Sequence, residues 1–206
     1  MAQNYCGSNN VNLLYPSGQF GTRRMGGKDH ASARYIFTKL EKIARAIFHP
    51  DDDALLNYLN DDGYSIEPEY YVPVIPMVLV NGSEGIGTGW SSTIKSHDPR
   101  VIISNIRKMI NREDPDDMHP YFSGWKGEVI PETGRKERSY TLRGNIKRTS
   151  KTTLLITELP AGRWTQDYKE KILEKMMEGA DKSNKKKKGE EKESEEKADS
   201  GEIIGG

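Results

Sequence analysis

Arg23, Arg24, Lys28 and Arg34 crowd around a glycine-rich stretch, with Asp29 the one opposing charge nearby and Tyr35 directly following Arg34. Such a patch suits phosphate oxygens, because arginine forks bind them in pairs and glycines let backbone N–H groups approach. A phenol has an ordinary pKa of about 10, so a tyrosine acts as a nucleophile only with a cation or base that favours the phenolate. Arg34 can be that cation, and adjacent arginines can stabilise charge building on a phosphate under attack. Residue types alone leave plainer readings open. The basic cluster reads equally as a solvated surface hairpin. Tyr35, one of ten tyrosines, reads equally as a helix-start residue whose ring packs.

A second constellation is Asn81-Gly-Ser-Glu-Gly-Ile-Gly-Thr-Gly-Trp90, which follows a short apolar stretch. It lacks the Lys-Ser/Thr ending of a P-loop, and no helical pattern opens after Gly87 as a dinucleotide fingerprint requires. Two readings remain: a tight glycine turn with Ile86 filling a small core, or an isolated isoleucine acting as a wedge between base steps. Asp51-Asp-Asp53 and Asp61-Asp62 have the carboxylates that suit Mg²⁺, but helix capping explains them more simply.

The elements that must position these residues follow from periodicity. Residues 8–30, with glycines 18, 21, 26 and 27 spaced like hairpin turns, predict a β-wing. Ile36, Phe37, Leu40, Ile43, Ala44, Ile47 and Phe48 recur at helical spacing and predict an amphipathic helix over 35–48, ended by Pro50. A second short helix is expected over 51–60, capped by Asp51 or Asp52, burying Leu55, Leu56 and Leu59 and ending at Asp61-Asp62-Gly63. Within Val72–Val80, Pro73 and Pro76 cannot donate to a ladder, which leaves a strand in the second half. Asp98-Pro99 starts a firm helix whose buried face is Ile102, Ile103, Ile106, Met109 and Ile110. Between Trp125 and Leu159, three strand-like runs predict a small antiparallel sheet. A last helix covers about 165–177, and the Lys185 to Lys197 run is too polar to bury anything and reads as a disordered loop.

Composition narrows the class. The 206 residues carry 31 basic and 31 acidic side chains, so any polyanion site must be local. The apolar fraction of 34% is low for a single core, and part of the chain is expected to be unpacked. The lone cysteine, Cys6, excludes an internal disulfide and fits a reducing compartment. No apolar run reaches membrane-span length, and Met1 leads into polar residues without a secretory signal. The ends read as those of a truncated chain.

Gly7-Ser-Asn-Asn10, Gly18-Gln-Phe-Gly-Thr-Arg23, Gly26-Gly-Lys-Asp29 and Ala33-Arg-Tyr-Ile-Phe-Thr38 resemble, in order and spacing, the winged-helix segment of eukaryotic-type DNA topoisomerase II. Pro68-Glu-Tyr-Tyr-Val-Pro73, the glycine loop, Thr157-Glu-Leu-Pro160 and Trp164-Thr-Gln-Asp-Tyr-Lys169 continue the resemblance to about residue 180. It implies an α+β fold: a partial winged helix over 1–50, the beginning of a mixed helix and antiparallel-sheet tower over 51–180, a charged low-complexity loop over 181–200, and the start of a truncated element over 201–206. It implies that Tyr35 attacks a DNA phosphodiester to form a 5′-phosphotyrosyl link, with Arg34 its transition-state partner. Ile86 is implied as a wedge in bent DNA, and Arg23, Arg24 and Lys28 as DNA contacts. The implied enzyme is an ATP-dependent, nuclear homodimer acting on double-stranded DNA, with Mg²⁺ and ATP both bound outside this chain. The histidines that the family carries just before this stretch are missing, and His30, His49, His97 and His119 read as surface residues. Gly-Gly-Lys-Asp before the Arg-Tyr pair and the Trp90 ending of the glycine loop point away from bacterial gyrase. The alternatives are a non-catalytic winged-helix DNA-binding module and an inactive truncated chain, and the isolated chain is expected to cleave DNA poorly or not at all.

Overall fold

Strand β1 (Leu14–Ser17) pairs antiparallel with β2 (Phe37–Leu40), matching Leu14 to Leu40 and Ser17 to Phe37. This pairing overturns the helix expected over 35–48. The helical spacing survives only in α1 (Ala44–Ile47), where Ala44 and Ile47 are the buried pair. Phe37 and Thr38 favour a pleated strand, and β1 offers them a ladder that local sequence does not reveal. The expected β-wing is also corrected. Residues 18–31 form a loop of successive turns, with Met25 and Gly27 donating to the Thr22 carbonyl and His30 to that of Gly27.

A computed structural model describes residues 1–132, 139–177 and 179, so the charged run expected as a loop over 181–200 and the element at 201–206 lie outside the described residues. Two compact units divide the chain, Met1–Arg163 and Trp164–Gly206. The boundary expected at residue 50 falls inside the first unit.

The second helix expected after Pro50 is replaced by a 3-10 turn (Pro50–Leu55) and a hairpin of β3 (Tyr58–Asp61) with β4 (Tyr64–Pro68). Asp62 and Gly63 both have positive φ (46° and 86°), the backbone of a two-residue hairpin turn. What reads as a helix stop is therefore a strand reversal. The cap is His49, whose Nδ1 accepts from Asp51 N–H at 3.2 Å, and Leu55 and Leu59 are exposed. Likewise, the strand expected before Val80 is a short helix, α2 (Met77–Asn81), opened by Pro76 and burying Val80 completely.

The glycine loop is a hairpin, β5 (Ser83–Ile86) with β6 (Ser91–Ile94), pairing Ile86 with Ser91 and closed by Gly87 N–H on the Trp90 carbonyl. Helix α3 (Pro99–Ile110) forms as predicted, with the Asp98 carboxylate accepting from Arg100 N–H at 2.9 Å. Its buried face is narrower than expected: Ile102 and Asn105 are inside, whereas Met109 and Ile110 are exposed. Instead of one sheet, residues 125–159 make two separate hairpins. These are β7 (Glu128–Pro131) with β8 (Tyr140–Arg143), and β9 (Asn145–Arg148) with β10 (Leu154–Glu158). One extended path changes partner at Gly144, where a Cβ would lie 2.3 Å from the Glu158 carbonyl oxygen.

The fold is α+β. The first unit's core is small, comprising Ala2, Ala44, Ile47, Val80 and Ile102, with Ser96, Asn105 and Glu158 buried among the polar residues. In the second unit, residues 165–177 are helical as predicted, beginning as α4 (Thr165–Tyr168) and widening to a π-turn over Lys169–Leu173.

Candidate functional site

Tyr35 ends a 3-10 turn (Ala33–Tyr35) whose closing bonds are Tyr35 N–H to the Ser32 carbonyl (2.9 Å) and Ile36 N–H to that of Ala33 (3.5 Å). The chain then enters β2 directly, so ladder pairing to β1 fixes the backbone one residue beyond the tyrosine. Gly18 packs against this turn. With φ +106°, a Cβ there would lie 2.9 Å from Ile36 Cγ2 and 3.3 Å from the Tyr35 carbonyl oxygen. The backbone is held while the side chain is free: Tyr35 is 67% exposed, and the Arg34 guanidinium carbon stands 5.9 Å from its ring centroid. A cation over the phenol favours its anionic form and is available to a phosphate that approaches the oxygen.

The basic residues of the loop do not share one role. Arg24 and Lys28 are exposed. Arg23 instead turns inward, where Nη2 pairs with Glu158 Oε1 and also donates to the Leu159 carbonyl at 3.0 Å. Trp125 Nε1 donates to the same carbonyl at 2.9 Å, and Lys126 N–H reaches Glu158 Oε2 at 3.1 Å. Burial by itself would raise the Glu158 pKa, yet the Arg23 hydrogen bond and charge and the Lys126 N–H together hold it below the usual carboxylate range. Cys6 lies in the same neighbourhood, and burial pushes its thiol up. Asp29, the one acid among the basic residues, accepts from Thr22 Oγ1 at 2.6 Å and Thr22 N–H at 2.8 Å. The Thr22 hydroxyl, above all, lowers its pKa. The loop is thus tied shut, with Gly21 pressed on Gly27 so closely that a Cβ would lie 2.4 Å from the Gly27 Cα.

Ile86 is 87% exposed on the outer end of β5, beside Gly85, which has nothing within 4 Å of a built Cβ, and Trp90 is 88% exposed. An apolar side chain held on a ladder and surrounded by glycine can enter a narrow space that a bulkier surface would block. The alternative of a core-filling isoleucine does not hold. Sequence reasoning missed Glu158, Trp125, Asn10 and Asn81, which organise the segments bearing these residues. The motifs contained them, but only the folded contacts reveal which backbone groups they join.

A chain that combines an α+β fold with an exposed tyrosine, a cation beside it and an apolar wedge has the parts of a DNA-cleaving topoisomerase domain. Residues 1–199 match the DNA gyrase/topoisomerase IV family model. DNA topoisomerase 2 of Pisum sativum is 54% identical over 180 residues, covering 87% of this chain and 12% of that protein. The Drosophila melanogaster protein of the same name is 54% identical over 183 residues, covering 88% of this chain and 12% of its own length. A crystal structure of the Plasmodium falciparum topoisomerase II DNA-binding, cleavage and re-ligation domain is 50% identical with a TM-score of 0.78, covering 84% of this chain and 23% of that one. The chain belongs to the type IIA topoisomerase family, to the cleavage and reunion region of its DNA topoisomerase II branch. It spans about an eighth of the length of the curated relatives it matches.

Proposed function

We propose that this chain carries the DNA-cutting tyrosine and the DNA-bending wedge of an ATP-dependent type II topoisomerase, acting as a homodimer on double-stranded DNA in the nucleus. The observation that carries the reading is the pairing of a held backbone with a free phenol at Tyr35, under the Arg34 guanidinium. The phenolic oxygen forms a bond to phosphorus as the bond from phosphorus to the 3′ oxygen breaks. The phenol loses its proton and the departing 3′ oxygen gains one. One phosphodiester replaces another, so the link stores the energy of the broken bond and resealing needs no further source. Arg34 stabilises charge on the phosphate, and Arg24 and Lys28 hold neighbouring phosphates. Ile86 enters a base step and bends the duplex, at a cost of a few kcal/mol in lost stacking.

Mg²⁺ and ATP belong, in this reading, to parts of the enzyme outside this chain. Among the described residues no three His, Cys, Asp or Glu side chains come together as a metal site, and the steps assigned above use this chain's own groups only. No helix among the described residues is long and apolar enough to cross a membrane.

The test is covalent capture. The chain is complemented with separately expressed ATPase and metal-binding parts, given Mg²⁺ and plasmid DNA, and trapped with denaturant. The reading expects protein-linked DNA from the native chain and none from Tyr35→Phe, with unchanged thermal stability because the side chain is exposed. DNA retention without a covalent link in either protein would replace it with a non-catalytic binding module.

A further inference from the structure

Two asparagines join the segment that carries the tyrosine to the hairpin that carries the wedge. Asn10 Nδ2 is shared among three backbone carbonyls, Val80 (2.9 Å), Tyr121 (3.0 Å) and His97 (3.2 Å), while its Oδ1 accepts from Ser123 N–H at 2.8 Å. One residue on, Val11 is clamped from the other side: Asn81 Oδ1 accepts from Val11 N–H and Asn81 Nδ2 donates to the Val11 carbonyl, both at 2.9 Å. An amide carries two donor hydrogens and an acceptor oxygen on one rigid plane, so no other small side chain satisfies such a mixed set.

The segments held at this junction are the ones that matter. Val80 and Asn81 close α2 and pass through Gly82 into β5, and His97 follows β6, so both feet of the Ile86 hairpin are gripped. His97 N–H on the Leu79 carbonyl (2.8 Å) ties those feet to each other. On the other side, Val11 leads to Leu13, whose carbonyl accepts from Glu41 N–H at 2.9 Å, and then to β1, which carries β2 and the Tyr35 turn. The route from Tyr35 to Ile86 is thus two hydrogen-bonded ladders joined by two side-chain amides. Resting on the proposed DNA-cleaving function, we propose that Asn10 and Asn81 are positioning residues that set the placement of the tyrosine turn relative to the wedge hairpin, so that the bend Ile86 makes and the phosphate Tyr35 attacks stay in register.

The placement is read without DNA, by the distance distribution between spin labels at Thr38→Cys on β2 and Ser92→Cys on β6, in a Cys6→Ser background. A narrow distribution is expected, at least doubled in width by Asn10→Ala or Asn81→Ala and restored by neither serine nor leucine at position 10. Asn12→Ala is the control, because Asn12 bonds only to Leu14 and Glu41 on the tyrosine side, and it should leave the width unchanged. In covalent capture, Asn10→Ala should lower the yield at saturating DNA by roughly ten- to a hundredfold, as an ångström-scale misplacement does, without moving the DNA concentration at half-saturation. Unchanged label distances in both alanine variants would overturn the proposal, as would unfolding of both with loss of their circular-dichroism signal, which would make the amides general core residues. Altered distances together with no covalent capture in the native chain would leave the positioning intact and remove the cleavage reading instead.

Discussion

Replacing Arg23 with alanine separates two roles for one guanidinium. If it is spent inside the fold, its loss leaves the Glu158 carboxylate without its charge partner, at a site where that side chain is 6% exposed and Arg23's 26%. Breaking a buried pair from one side costs about 3–5 kcal/mol. Partial exposure of the arginine lets water reach the acid, and Lys126 N–H remains bonded to it, so the expected loss lies at about 2–3 kcal/mol. For a chain of this size that corresponds to a fall in melting temperature of roughly 5–10 °C. The effect must also follow pH. A carboxyl group held below its ordinary value contributes stability that is present above the unfolded pKa, 4.5, and is lost as pH falls through the lower folded value. The gap between native chain and variant should therefore be full at pH 7 and shrink below about pH 4. Circular-dichroism melts at the two pH values measure this. DNA binding across a salt series gives the second readout, since a phosphate-contacting residue removes about 0.9 from the slope of log affinity against log salt when deleted. Arg24→Ala and Lys28→Ala should each do so, and Arg23→Ala should not. An unchanged melting temperature with a slope smaller by about one would refute the inward assignment and return Arg23 to the DNA surface.

Ile86→Ala should cost less than about 0.5 kcal/mol in stability, because the side chain is exposed, yet reduce the bend seen by energy transfer between the ends of a labelled duplex. Equal bending by both proteins would remove the wedge. Gly82 has φ +74° and a Cβ there would sit 2.6 Å from the Ile94 carbonyl oxygen, so Gly82→Ala should destabilise the chain by about 2 kcal/mol or more. Gly63→Ala, with φ +86° but open space around it, should cost only about 1 kcal/mol, and equal losses would show that backbone angle alone matters. The Asp29 carboxyl is lowered chiefly by Thr22, so its hold on the loop is present above its ordinary value of 3.8 and disappears as pH falls through the folded value. Hydrogen exchange at the Thr22 amide, corrected for the intrinsic rate, should accelerate below about pH 4 and lose that dependence in Asp29→Asn, and a flat profile in the native chain would contradict the tie.

The sequence by itself determined whatever rests on local chemistry. The Asp98-Pro99 cap and the apolar spacing behind it fix the start and length of α3, because the cap and the first turn lie within a few residues of each other. The Gly-Ile-Gly setting determined that Ile86 would stand clear, and the Arg34–Tyr35 neighbours were bound to interact. Tertiary structure decided the rest, since the competing conformations were separated only by partners distant in sequence. Residues 37–40 are a strand because β1, more than twenty positions earlier, supplies a ladder that outweighs their helical periodicity. Asp62-Gly63 reverses a hairpin because Tyr58 and Asp61 find Pro68 and Tyr64 across it. Arg23 looks like its neighbours Arg24 and Lys28 in composition, and only the arrival of Glu158 from β10 turns it inward. A side chain's partners are set by where the backbone returns, and that return is a property of the whole fold.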